Sequence, residues 1–140
     1  MKDWILLTMM MSMLTGWLVG CTKASSSETL IEYRRSGGFA GWDDHLVVEK
    51  NGDAILTRKS GRSEFTLNSD TIDRVQILFE EAEFSQLHKE YLPLRQGSDL
   101  FEYVVTHEGH TVRTMDGAIP PSLQPILGAL NQIVESQGNP

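Results

Sequence analysis

The sequence has little of three things: cysteine, net positive charge and long apolar runs. A single cysteine, Cys21, stands among 140 residues, so no disulfide can form within the chain. The formal net charge is -7, and the basic residues are scattered among acidic ones, which argues against nucleic acid as a partner. The apolar run from Trp4 to Val19 is interrupted by polar residues and falls short of the roughly 20 residues that a membrane span needs. What remains is enough for one small domain.

The N-terminal segment has the features of an export signal. Lys2 precedes the apolar run, which closes on Leu18-Val19-Gly20-Cys21 and there resembles the signal of bacterial lipoproteins. In that signal the chain is cut before the cysteine, which becomes the acylated N-terminus. The sequence therefore predicts a lipoprotein signal peptide over 1–20, an acylated Cys21 with a polar linker over 21–28, a folded domain over 29–136 and a tail over 137–140.

Cys21 has a second interpretation, as a free thiol buried in a membrane-spanning helix. The polar stretch that begins at Thr22 favours acylation instead, because it starts where a lipoprotein linker is expected. Thr22 also replaces the aspartate that usually means retention at the inner membrane in enteric-type bacteria. We therefore expect an envelope lipoprotein, anchored through acyl chains such as palmitate on Cys21, and at the outer membrane in a Gram-negative host.

Alternation of apolar and polar residues predicts strands over most of the folded region. Asn51-Gly52 and Glu108-Gly109 each separate two of these segments and indicate hairpin turns, the first with both turn residues at positive φ. The predicted strands are 29–35, 44–50, 53–59, 62–67, 100–107 and 110–115.

Two further stretches have apolar residues at helical spacing. The first, capped by side-chain oxygens of 68–70, is predicted to run from Asp70 to about Leu87, with one apolar face against the sheet. Segment 88–98 is predicted to be a loop, 116–121 a stiff connector, and Pro125 lies in the first turn of a closing helix. The expected fold is α+β, an antiparallel sheet covered by one main amphipathic helix, with a second helix near the C-terminus.

The stretch from Arg34 to Trp42 is longer than a plain hairpin turn requires. It is rich in glycine, which permits backbone conformations closed to other residues, and its aromatic residues add apolar surface that a solvated connector does not need. We interpret it as a binding loop; the alternative is a wide loop whose aromatic side chains pack back on the core. The candidate protein-binding residues are Arg35, Ser36, Gly37, Gly38, Phe39, Ala40 and Gly41.

Residue patterns that would carry catalysis are hard to find. The sequence from His107 to His110 is one residue too short for the helical zinc motif and lies on a predicted turn, and no second ligand cluster accompanies it. The adjacent carboxylates Asp43-Asp44 and Glu80-Glu81 point apart on a strand or helix. No nucleophile or phosphate-binding motif stands out. We expect a binding protein without catalytic activity, metal or cofactor of its own.

Four blocks of the sequence resemble the emfourin family, over about Ile31 to Val134. They are Arg35-Ser36-Gly37-Gly38-Phe39-Ala40-Gly41, then Phe84 with Leu87, then Asp99-Leu100-Phe101-Glu102-Tyr103, and last Asp116-Gly117-Ala118-Ile119-Pro120. Emfourins are small bacterial proteins typified by a slow, tight inhibitor of protealysin, a thermolysin-like zinc metalloprotease. The resemblance implies a metalloprotease as partner and inhibition as function.

Residue roles follow from the same resemblance. Thermolysin-like proteases favour a bulky apolar residue just after the scissile bond, so Phe39 is expected to enter, or block the approach to, that pocket. Arg35 is expected to pair with a carboxylate at the cleft rim, and Asp116, Gly117 and Pro120 to support the loop from behind. A lipid-tethered adaptor is the other function that the sequence allows. It would bind an envelope protein or peptide through the same loop or a sheet edge, without inhibition.

Overall fold

The computed structural model of the protein describes residues 28–95, 97 and 99–137. The predicted signal peptide, Cys21, nearly all of the linker and the last three residues of the tail lie outside these ranges. The described elements, in chain order, are β1 Thr29–Gly37, β2 Trp42–Glu49, β3 Asp53–Arg58, β4 Gly61–Thr66, α1 Ser69–Glu81, β5 Glu90–Tyr91, β6 Phe101–His107, β7 His110–Met115 and α2 Gln124–Ser136.

The strands form one sheet in the order β4-β3-β2-β1-β6-β7-β5, which with the two helices confirms the predicted α+β class. All neighbours pair antiparallel except β5, which lies parallel to β7 through Glu90↔Arg113 and Tyr91↔Thr114. The prediction of a purely antiparallel sheet is therefore wrong at this edge. So is the prediction that 88–98 is a loop throughout, since β5 lies within it.

Strands and helices contribute to one hydrophobic core. Alternate residues of the central strands are buried, as the sequence pattern predicted for β1. Each fully buried large side chain contributes about 1.5 to 3 kcal/mol relative to exposure in water. The core includes Ile31, Tyr33, Leu46, Val48, Leu56, Val105 and Val112 from the strands, Val75 and Phe79 from α1, and Ile126, Leu130 and Val134 from α2.

The ends of the helices differ partly from the prediction. Asn68 caps α1 as expected, its Oδ1 accepting a hydrogen bond from the Thr71 amide at 2.8 Å. The helix ends at Glu81, because Glu83 adopts a left-handed φ of 46° that breaks the helical ladder, and a short 3-10 helix, Phe84–Gln86, follows. The predicted end near Leu87 is therefore wrong. Pro125 lies in the first turn of α2, as predicted.

The two-residue turn geometry that the sequence predicted for the β2–β3 hairpin is found in the β6–β7 hairpin instead. Between β2 and β3 the turn has three residues, 50–52, and only Gly52 is at positive φ, 93°, so the prediction of positive φ at Asn51 is wrong. Asn51 instead accepts a hydrogen bond from the Asp53 amide through its side chain at 3.0 Å. Between β6 and β7, Glu108 and Gly109 both have positive φ, 49° and 80°, and close a two-residue hairpin.

Candidate protein-binding site

The stretch predicted to be a wide loop is a tight hairpin turn. β1 and β2 pair from Arg34↔His45 through Gly37↔Trp42, which leaves four residues, 38–41, outside the ladder. Gly41 donates a backbone hydrogen bond to the Gly38 carbonyl at 2.9 Å and closes the turn. The prediction of an extended loop from Arg34 is therefore wrong, because the strands continue into it.

Phe39 lies at the tip of this turn and is 97% exposed. Trp42, the first residue of β2, is 46% exposed. The alternative in which the loop aromatics pack on the core is therefore wrong for Phe39. Because its ring is almost wholly in water, Phe39 contributes little to folding through burial of apolar surface, and the ring is accessible to another molecule.

Glycines allow the turn to lie close against the start of β6. Gly37 and Gly38 have positive φ, 110° and 69°, and the Gly38 amide donates to the Leu100 carbonyl at 3.3 Å. A Cβ at residue 37 would lie 2.3 Å from that carbonyl oxygen, and a Cβ at residue 38 would lie 2.8 Å from the Phe101 ring. Side chains at these positions would push the turn away from the start of β6, so the two glycines allow this close contact.

Asp116 holds the segment on which the turn rests. Its Oδ2 accepts from the Phe101 amide at 2.9 Å, its Oδ1 accepts from the Tyr103 hydroxyl at 3.2 Å, and its amide donates to the Phe101 carbonyl at 3.0 Å. Burial, together with the negative charge of Asp116, raises the pKa of Tyr103 to about 12, which keeps the hydroxyl a donor. Asp116 thus supports the turn indirectly, because it fixes Phe101, whose ring lies against Gly38.

Gly117 and Pro120, the other two candidate supports, lie further along the same connector. Gly117 turns the chain with a φ of 82°, and a Cβ placed on it would lie 3.9 Å from Pro93. The Pro120 carbonyl accepts a hydrogen bond from the Leu123 amide at 3.0 Å, just before α2. These two residues shape the connector, and the link from the connector to the turn runs through Asp116.

Arg35 is buried beside the turn and is engaged within its own chain. Its Nε and Nη2 donate to Asp44 Oδ2 at 3.2 and 2.7 Å, and the two side chains are 11% and 2% exposed. Nη1 donates to Asn131 Oδ1 at 3.0 Å and lies 3.4 Å from Glu135 Oε1, both on α2. Burial lowers the pKa of Arg35, but hydrogen bonding and attraction to Asp44 outweigh it and raise the pKa overall, so Arg35 stays charged.

The expectation that Arg35 reaches a carboxylate on a partner is therefore wrong. A second arginine, Arg58 of β3, places Nε 3.2 Å from Asp44 Oδ1, so two cations share one buried carboxylate. The Arg35 guanidinium also lies 5.5 Å from the Trp42 ring centroid and 5.8 Å from that of Phe101. This cluster joins β1, β2, β3, β6 and α2 at the base of the turn.

The sheet brings other exposed side chains to the same end. Lys59, in the β3–β4 turn, is exposed, and its Nζ lies 3.1 Å from where a Cβ on Gly41 would stand. Because β5 runs parallel to β7, its C-terminal end and the fully exposed Leu94 beyond it also lie at the end where β6 begins. Sequence reasoning missed Lys59 and Leu94, since neither residue is near Phe39 in the chain.

The two histidines of the β6–β7 hairpin pack against aromatic rings. His107 stacks on Phe79 at 4.1 Å, and burial lowers the His107 pKa. His110 donates from Nε2 to the Leu87 carbonyl at 3.0 Å, with its ring edge-on to Phe84 at 5.6 Å. Within the ranges that the structure describes, no group of three or more His, Cys, Asp or Glu residues is placed to hold a metal ion.

No protein-family model matches the chain, and a search of curated proteins found no significant match. None of the helices in the described part of the chain is both long enough and apolar enough to cross a membrane. The resemblance to emfourins therefore rests on the four sequence blocks alone. Three of these blocks lie at the turn and the segments next to it, whereas Phe84 and Leu87 pack against the β6–β7 hairpin at the other end of the sheet.

Proposed function

We propose that this protein is an emfourin-like inhibitor of a thermolysin-like zinc metalloprotease, held at the bacterial envelope by acylation of Cys21. The observation that supports the proposal most strongly is Phe39, which is 97% exposed at the tip of a turn with a fixed backbone. A bulky apolar side chain presented in this way suits the pocket that such proteases use just after the scissile bond.

The bracing of the turn supports this proposal energetically. Ordering a loop on binding costs free energy, and a loop that is already ordered avoids that cost. The Gly38 amide is bonded to Leu100, Phe101 lies under Gly38, and Asp116 fixes Phe101. Phe39 can therefore act as a rigid anchor of the kind that dominates tight interfaces, with little change in the rest of the chain.

In this proposal Lys59, and not Arg35, makes the charged contact with the protease. Arg35 is bonded to Asp44 and buried, whereas Lys59 is exposed and lies against Gly41 on the turn. An acidic group at the rim of the protease cleft would meet Lys59 as Phe39 enters the pocket. The expected partner therefore has an apolar pocket flanked by at least one carboxylate.

The positions of the two helices determine which part of the sheet a protease can reach. We infer that α1 covers the sheet with one apolar face, since Val75 and Phe79 are buried in the same core as Tyr33 and Val105. Asn131 of α2 accepts hydrogen bonds from Tyr33 and Arg35 and places α2 over the same side chains. The turn at the end of the sheet then stays accessible to a protease.

Inhibition of a purified thermolysin-like protease by the purified chain tests the proposal. We expect slow, tight inhibition that weakens several-fold in Lys59→Gln. The control is Arg74→Gln, which removes an exposed positive charge from α1 and should inhibit as the wild type does. Absence of inhibition by the wild-type chain at micromolar concentration contradicts the proposed function, and equal weakening in both variants contradicts the role of Lys59.

An adaptor without inhibitory activity is the second candidate, favoured by one observation. Strand β4 lies at the end of the sheet with nearly all of its side chains exposed, so a strand of another protein can be added there. Chemical cross-linking in the host followed by mass spectrometry separates the two functions. A metalloprotease cross-linked near Phe39 supports inhibition, and a different envelope protein cross-linked near β4 supports the adaptor.

A further inference from the structure

Strand β4 has one edge that no other described strand pairs with. Its inner edge pairs with β3 from Asp53↔Thr66 to Arg58↔Gly61, and it stands last in the sheet order. Unpaired strand edges carry free amide and carbonyl groups, and proteins protect them or pair them.

The hydrogen-bond pattern shows which residues face outward. The Leu67 amide donates to the Gly52 carbonyl at 2.9 Å, on the side where β3 lies. Backbone groups alternate sides along a strand, so Ser63 also faces β3, and the amides and carbonyls of Arg62 and Glu64 point to the free edge. By the same alternation Thr66 also faces outward, so the groups available for pairing belong to three residues of β4, two of which, Arg62 and Glu64, carry opposite charges.

The side chains of these two charged residues are complementary to themselves under a two-fold rotation. Arg62 and Glu64 are exposed and lie 2.8 Å apart, Nη2 to Oε1, on the same face of β4. An antiparallel second copy of β4, with the two-fold axis at Ser63, places Arg62 of each copy opposite Glu64 of the other. The two neighbouring registers that also match free amides to free carbonyls set Arg62 against Arg62 or Glu64 against Glu64.

We propose that β4 pairs antiparallel with β4 of a second copy of this chain, in the register centred on Ser63. Opposite charges directly across a strand pair stabilise that pair, and like charges destabilise the alternatives, so the register is selected by charge. A strand of six residues buries less surface than a standard stable interface, so the association depends on concentration. The pairing leaves the turn with Phe39 at the end of the sheet, away from the shared edge.

A disulfide trap tests the pairing and its register. In this register the two Ser63 residues form a non-hydrogen-bonded pair with Cα atoms about 4.5 Å apart, within the range that disulfides bridge. The variant is Ser63→Cys in full-length chain carrying Cys21→Ser, kept in mild detergent and a glutathione buffer. The matched control is Thr66→Cys, which is exposed on the same strand but offset from its own copy by six residues, roughly 20 Å.

Non-reducing electrophoresis should show disulfide-linked dimer from Ser63→Cys and little from Thr66→Cys. Adding Arg62→Glu to Ser63→Cys should remove the dimer, and adding Arg62→Glu together with Glu64→Arg should restore it. Equal cross-linking at both positions, no dimer at either, or no recovery in the double charge exchange overturns the proposal, as does cross-linking of Ser63→Cys to a different protein. Protease inhibition, measured separately, is expected to be the same in all of these chains.

Discussion

Gly38 and Phe101 fit each other at the base of the β1–β2 turn, where a Cβ on residue 38 would come within 2.8 Å of the phenyl ring. The backbone amide of Phe101 donates a hydrogen bond to Asp116. Through this bond, the segment that follows β7 is linked to the turn that presents Phe39. This link makes the position of the turn sensitive to side chains that never contact a partner.

Alanine at Gly37 should destabilise the protein more than alanine at a comparable glycine in open space. A Cβ there would meet the Leu100 carbonyl oxygen at 2.3 Å, a backbone atom that cannot move aside cheaply, and φ is 110°. Gly61→Ala is the control, since its φ is also positive, 146°, but nothing lies within 4 Å. Urea denaturation should give a larger loss of unfolding free energy for Gly37→Ala, by about 1 to 3 kcal/mol. Equal losses would show that the turn does not lie against β6.

Removal of the buried carboxylate at Asp44 should be costly. Asp44→Ala leaves Arg35 and Arg58 without their shared partner, and breaking a buried pair from one side costs about 3 to 5 kcal/mol. Asp43 is the neighbouring control, because its pair with Arg34 is exposed at 43% and 57%, and such pairs contribute about 1 kcal/mol or less. Denaturation of both variants measures the difference. Similar losses of unfolding free energy in the two variants would mean that Asp44 does not stabilise the cluster.

Asp116→Ala should lower thermal stability, because it removes the support of the segment on which the turn rests. The change leaves the Phe101 amide and the Tyr103 hydroxyl without their acceptor, at a cost of about 1 to 3 kcal/mol for each donor that stays buried. Asp99→Ala, at an exposed position just before β6, is the control and should leave stability nearly unchanged. Thermal melts at pH 7 compare the two. A wild-type melting temperature for Asp116→Ala would rule out support of the turn by this residue.

Stability should fall with acidification through His107. Burial lowers its pKa in the folded state, so below the ordinary histidine value of about 6.5 the unfolded chain takes up a proton that the folded chain resists. The contribution is complete above that value and is lost as pH falls toward the folded pKa. Unfolding free energies at pH 7.5 and 5.5, compared between the wild type and His107→Phe, measure it. An unchanged pH dependence in His107→Phe would contradict the assignment.

The buried side of each central strand was predictable from alternation, and the site was predictable in part. Ile31 and Tyr33 were placed on one face of β1 from the sequence, and continuing the same alternation places Arg35 there too. Asp44 shares a face with Leu46 in the same way. Both residues lie within strands that the sequence predicted, 29–35 and 44–50, so the buried ion pair could have been found from the alternation, although Arg35 was interpreted as part of a binding loop.

Features that depend on contacts between distant segments were not predictable in this way. The parallel pairing of Glu90 and Tyr91 with β7 joins residues more than twenty positions apart, and a two-residue strand has too few residues to show a period. Glu83 ends α1 through its backbone conformation, although its side chain is of a type that favours helices. Lys59 reaches the turn only because β3 returns beside β2.

The most direct test of the central claim is Phe39→Ala, with inhibition and thermal stability measured on the same sample. Because the ring is 97% exposed, its removal should leave the melting temperature nearly unchanged. Loss of a central anchor should weaken inhibition of a thermolysin-like protease by about 2 kcal/mol or more, roughly thirtyfold in the inhibition constant. Ile77→Ala, which removes a half-exposed apolar side chain from α1, is the control and should inhibit as the wild type does. An unchanged inhibition constant for Phe39→Ala would contradict the claim that this residue is the inhibitory anchor.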